Sequence, residues 1–196
     1  MAITVTGSKL HWNFFVALES DLAAISRYIE FIEDNFEVYS IELARLLFSA
    51  ASESDVVAKK LCKKIDVTSN PNNIHECRVI LCNEIPEICT METFVPRHGL
   101  RFIPWLNWSL KEPRSPDWWR SYNNVKHNRD VHFREATLKN ALNSLGALLI
   151  LTYNLYRFEL SGGGELLKPQ KVNYELYSVT NFLRLDESLY YNNVVV

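Results

Sequence analysis

The stretch WWRSYNNVKHNRD, Trp118 to Asp130, holds the side chains of this chain best suited to chemistry. A helix advances about 100° per residue, so positions seven apart return to within about 20° of each other. On a helix, Arg120 and His127 therefore share a face, and Asn123 and Asn124 fall between them on the same side. Trp118, Tyr122, Val125 and, if the helix continues, Arg129 occupy the opposite side. The first face suits a phosphodiester. A guanidinium stabilises phosphate charge through two parallel hydrogen bonds, and histidine is the side chain that exchanges protons near neutral pH. Asparagines can position phosphate or ribose oxygens without adding charge. RNA brings its own nucleophile in the 2′-OH, so its cleavage needs a base, an acid and charge stabilisation but no metal or other cofactor. The same face could also simply bind, or cap a neighbouring element.

Charge around this stretch points the same way. The whole chain carries a net charge of −2, which makes no global case for nucleic acid. Between Arg97 and Arg134, however, eight cations stand against three acids, a local +5 that leaves −7 for the remainder. Lys126, Arg129 and Arg134 are the cations placed to contact a nucleic acid beside the Arg/His face. The alternative is a basic face that answers an acidic one, within the chain or across a dimer. Asp55 is the candidate supporting residue. It lies at the edge of an apolar helical stripe, where a carboxylate needs a partner, and Arg120 or His127 could be that partner. A salt bridge or a cap is the structural alternative, and Glu53 on the other flank reads as solvated.

Other chemistries fit less well. His127 and His132 are five apart, whereas two ligands on one helix face need four, so no metal site is expected. His11, His75 and His98 are isolated. SGGGE, Ser161 to Glu165, lacks the Lys-Ser/Thr of a phosphate loop, and there is no nucleophile elbow. Trp105, Trp108, Trp118 and Trp119 could stack on bases or anchor a core.

The elements that must position this face are helical. Apolar residues at Phe15, Leu18, Leu22, Ile25, Ile29 and Ile32 predict a first helix over about 15–32. Ser40 as N-cap and a stripe through Leu43, Leu47, Ala50, Val57 and Leu61 predict a second over about 40–65. A third is expected over about 74–85. An irregular segment or short β-hairpin follows at about 90–108, where Pro, Gly and aromatics crowd together. Ser115 as N-cap, Pro116 at the first helical position and Asp117 in the first turn predict the start of the helix that carries Arg120. A last helix, over about 133–158, is apolar nearly all round and should be the most buried element. The alternation of Val172, Tyr174 and Leu176 suggests one strand in a partly extended C-terminal appendage, 159–196. The sum is a mainly α single domain over 1–196, a bundle of four or five helices.

Hydrophobic residues make up 47% of the chain, enough for a sizeable core. No apolar run approaches the ~20 residues of a membrane span, so no membrane partner is expected. The four cysteines lack paired CxxC spacing, and no secretory signal opens the sequence, which suggests a reducing cytoplasm.

An Arg-x6-His pair near the start of a late helix in a helical bundle resembles the HEPN superfamily, whose pattern is Arg-x4–6-His with a polar residue after the arginine. Here those residues are Arg120, Ser121 and His127. WWRSYNNVKHNRD with ATLKNALNSLGALLILTY, and YSIELARLLFSAASESDVV earlier, are also similar to a family of uncharacterised bacterial proteins over most of residues 12–158. The HEPN resemblance implies a homodimer whose two Arg/His pairs face each other in a metal-independent RNase cleft. It further implies a toxin–antitoxin or anti-phage setting with a cognate antitoxin or defence-system partner, although other members only bind. Asparagine is common after the HEPN arginine, and Ser121 departs from that preference, which leaves binding intact and weakens the catalytic carry-over.

Overall fold

The computed structural model describes residues 7–162 together with 166, 168, 171, 172, 176 and 182–185. The fold is mainly helical, with a small antiparallel sheet. Helix α1, Leu10–Ile25, buries Trp12, Phe15, Leu18 and Leu22. It starts and ends earlier than the apolar spacing predicts. Beyond Ile25 the backbone tightens, with Arg27 and Tyr28 donating to the carbonyls of Ala24 and Ile25. Ile29 and Phe31 nevertheless pack on the core, so the periodicity outlives the helix that it normally signals.

Helix α2, Ile41–Ile65, begins as expected, with the Ser40 hydroxyl accepting from the Leu43 N–H at 3.1 Å. Lys63 and Lys64 sit in its last turn, where cations complement the helix dipole. Helix α3, Ile74–Glu84, is capped by Asn73, whose side chain accepts from the N–H groups of His75 and Glu76. Glu76 in turn accepts from the Asn72 N–H at 2.8 Å, so the first turn is closed from both sides. Ion pairs tie α2 to its neighbours, Arg45 to Asp21 of α1 at 2.9 Å among them. His11 of α1 lies 2.6 Å from Glu53 of α2, so neither is the isolated or solvated residue expected from sequence.

The expected hairpin is present. Strands β1, Thr93–Val95, and β2, Leu100–Phe102, pair antiparallel around Gly99, whose φ of 64° suits glycine at this turn. A third strand, β3, Arg184–Leu185, joins the other edge of β1 and gives the order β2-β1-β3. The strand suggested at 172–176 is a correction, because Lys171, Val172 and Leu176 are helical; Tyr174 lies outside the described residues. Among the described residues of the C-terminal appendage, Val172, Leu176, Phe182, Leu183 and Leu185 are buried in the main core. The buried carboxylate of Glu19 on α1 accepts from the N–H groups of Phe182 and Leu183 at 3.1 and 2.7 Å.

Helix α4, Asp117–His127, carries the face of interest and stops at His127. The Ser115 hydroxyl is not its cap. It lies 3.1 Å from His75 Nε2, and Pro116 occupies the capping position, its carbonyl accepting from the N–H groups of Trp119 and Arg120. A short helix α5, Arg129–His132, follows a break at Asn128, so Arg129 does not extend α4. Helix α6, Leu138–Ser161, starts later than Phe133 because the chain first pairs elsewhere. Leu138 and Lys139 donate to the carbonyls of Val38 and Phe36, a bridge joins Tyr39 to Thr137, and the Thr137 hydroxyl caps the helix through the Asn140 N–H. As expected, α6 is the most buried helix, and it packs most extensively on α2. It ends at Gly162 in the left-handed region (φ 60°), which lies within the predicted glycine break; residues 163–165 lie outside the described residues.

Candidate functional site

Helix α4 sorts its residues as the spacing predicts: Trp118, Tyr122 and Val125 are buried, while Arg120, Lys126 and His127 are exposed. Tryptophan chemistry here is structural. Trp118 Nε1 donates to the Pro104 carbonyl at 3.0 Å, Trp105 Nε1 donates to the Ala147 carbonyl at 3.3 Å, and the Trp105, Trp108 and Trp118 rings pack together.

The exposed face is less uniform than its spacing suggests. Arg120 extends toward the N-terminal end, where its Nη2 lies 3.1 Å from Asp117 Oδ1, and Arg114 shares the same carboxylate at 3.6 Å. His127 lies two turns further on, about 10 Å along the axis. Asn123 donates to the Trp119 carbonyl within its own helix. Asn124 donates to both oxygens of Glu135, at 3.2 and 3.0 Å. The side-chain amide of each asparagine is therefore already bonded within the chain. Asp55, the candidate support for Arg120 or His127, instead pairs with Lys59 one turn along α2 at 2.6 Å.

What gathers at the α4–α5 end is a cationic patch over aromatic rings. Lys126 Nζ lies 5.3 Å from the centre of the Tyr122 ring, and the Arg129 guanidinium lies 5.1 Å from that of Phe48. Tyr122 and Phe48 pack edge-on, so the two cation–ring contacts form one chain from α4 to α5. Arg134, in the turn Phe133–Glu135 that follows α5, is exposed. Arg45, Arg101, Arg114, Arg120 and Arg157 each have a carboxylate within 4 Å, whereas among the described residues Lys126, His127, Arg129 and Arg134 have none.

No protein-family model, curated protein or solved structure matches this chain. The site is therefore read from its own groups, and one of them was not anticipated. His132 Nδ1 lies 2.7 Å from Glu135 Oε1, on a pair of half-exposed side chains. Burial works to raise the Glu135 pKa, but hydrogen bonds from Asn124, His132 and Ser121 outweigh it, so the carboxyl is held below its ordinary range. An ionised carboxylate only accepts, so His132 Nδ1 carries the proton of this bond and Nε2 is the ring nitrogen left outside it. That is the arrangement of an oriented base. The His-x-x-Glu spacing of residues 132–135 is the signal that the sequence offers for this pair, and it is obscured because the apolar pattern of the last helix is read from Phe133 onward. Among the described residues no group of three or more His, Cys, Asp or Glu side chains converges to hold a metal ion. No helix among them is long and apolar enough to cross a membrane.

Proposed function

We propose that this chain is a HEPN-like RNA-binding protein whose α4–α5 end holds the phosphate backbone, with metal-independent endoribonuclease activity centred on His127. The supporting observation is the exposure of Lys126, His127, Arg129 and Arg134 together, without carboxylate partners among the described residues. Unpaired cations over aromatic rings suit phosphates and unstacked bases. In this reading Arg120 leaves Asp117 to stabilise charge on the scissile phosphate, and His127 transfers the proton. Proton transfer needs a second group, and His132, oriented by Glu135, offers one within the same chain; the partner His127 of a homodimer is the other source. The HEPN resemblance extends the proposal to a toxin–antitoxin or anti-phage setting with a cognate partner.

A second reading, a non-catalytic interaction module, is favoured by one observation: Arg120, Asn123 and Asn124 are already engaged within the chain. The test is cleavage of single-stranded RNA by the purified chain in EDTA, with His127→Ala alongside. General acid–base catalysis contributes roughly 10²–10⁴-fold, so the variant should lose at least about 100-fold of the rate. Undiminished cleavage by His127→Ala would remove the mechanism. Salt-sensitive RNA binding without turnover would select the second reading.

A further inference from the structure

A cavity of about 670 Å³ opens between α2 and α5, beside the cationic patch, within the range of roughly 300–1,000 Å³ typical of small-ligand sites. Buried Ala44 forms its floor, Phe48 and Phe133 line it, and Ile41 is its exposed lip. Three charged groups complete the lining: Arg45, already paired with Asp21 and Glu42, and Arg129 and Asp130, which have no ion-pair partner among the described residues. A purely apolar partner would leave Arg129 and Asp130 facing hydrocarbon without a counterpart, at a cost in desolvation. A flat ring with polar edges and a phosphate attached would satisfy all of these groups. The Arg129 guanidinium over Phe48 provides a plane for stacking and donors for phosphate.

Asp130 narrows the choice of ring. Its ionised carboxylate only accepts hydrogen bonds. Guanine alone among the RNA bases presents two parallel donors on one edge, N1–H and the 2-amino group, matching two carboxylate oxygens. Adenine and cytosine pair their amino group with an acceptor nitrogen, and uracil flanks its N3–H with two carbonyls, so each would set an acceptor against the carboxylate. These edges are free only in an unpaired base.

Building on the proposed RNA-binding reading, we infer that the α2–α5 cavity is a subsite for one unpaired guanine of an RNA strand, stacked at Phe48 and Phe133 and read by Asp130. The cation–ring chain from Lys126 through Tyr122 and Phe48 to Arg129 carries the backbone from α4 into this subsite.

The test is fluorescence anisotropy with the full chain and a ten-nucleotide oligouridine strand carrying one central guanine. Comparison strands replace the guanine with uracil or an abasic site, or anneal it to its complement, and 5′-GMP serves as competitor. The guanine strand should bind about tenfold tighter than the uracil, abasic and duplex forms, in line with the stacking value of about 1–3 kcal/mol per base. Asp130→Asn, an exposed change, should bring guanine and uracil strands to equal affinity. Phe133→Leu should weaken the guanine strand about tenfold and leave the abasic strand unchanged. Equal binding of all four strands overturns the subsite while leaving RNA binding in place. Absence of binding to any strand overturns the RNA-binding reading beneath it. Displacement by 5′-GMP at the strand's own affinity assigns the cavity to free nucleotides and overturns the RNA assignment.

Discussion

Replacing Glu135 with glutamine tests whether the α4–α5 end is held together by one carboxylate. Its oxygens accept from Asn124 Nδ2 at 3.2 and 3.0 Å and lie 2.7 Å from His132 Nδ1, with Ser121 also bonded. Hydrogen bonds to a charged group contribute about 1.5–3 kcal/mol each when well buried. Solvent competes here, because about a third of the side chain is exposed, so the whole set should contribute roughly 1–2 kcal/mol. At this chain length each kcal/mol moves the melting temperature by about 2–4 °C, so Glu135→Gln should melt about 2–8 °C lower at pH 7. The pH dependence has a definite sign. Hydrogen bonding holds the folded carboxyl below its ordinary range, so its stabilisation is complete above the unfolded pKa of about 4.3. It is lost as the pH falls through the lower, folded value. Urea unfolding of both proteins at pH 7 and pH 3 measures this directly. A difference below about 0.3 kcal/mol at pH 7, or one that does not shrink at pH 3, would refute the network. Combining the change with Asn124→Ala should give less than the sum of the two, because both remove the same bond.

Two further outcomes are expected. A Cβ at Gly146 would meet Thr93 Oγ1 at 2.5 Å and Phe102 Cε2 at 2.6 Å, so Gly146→Ala should push the hairpin off α6. Overpacking costs about 1–3 kcal/mol and alanine's helix propensity returns up to about 1 kcal/mol, so a melting temperature at or above the wild type would contradict the close approach. Cys82 and Cys89 hold their sulfurs 2.8 Å apart, and the bond between them lowers the Cys82 thiol pKa and raises that of Cys89. Hydrogen peroxide should therefore convert this pair to a disulfide with loss of about 2 Da, and Cys82→Ser should abolish that change; four titratable thiols after treatment would refute it.

How far the sequence could be read follows from which bonds are local. Helix α2 was legible at both ends, because Ser40 caps it through a neighbour three residues away and its stripe is continuous. The hairpin was legible from its glycine and prolines. The start of α6 was not, because it is set by carbonyls of Phe36 and Val38, a hundred residues earlier in the chain, and no local pattern records that. The two-sided character of α4 was correct, since Trp118, Tyr122 and Val125 are buried opposite Arg120 and His127. What spacing could not show is that a shared face is not a shared site. Asn124 turns to Glu135 and Arg120 to Asp117, partners set by side-chain rotamers rather than helical angle. Asp55 found its cation one turn away, the nearest answer that a helix offers a carboxylate.

The Glu19 clasp has a bearing on the order in which the chain assembles. The carboxylate belongs to the first helix, and the two N–H groups it accepts from lie at Phe182 and Leu183, more than 160 residues later. During synthesis every helix from α1 to α6 is made before those donors exist. The two hydrogen bonds that Glu19 accepts from Phe182 and Leu183 therefore form only once the segment that contains β3 has been made and has docked on α1. This corner of the core is completed by one of the last parts of the chain to be synthesised, whatever order the helices before it take.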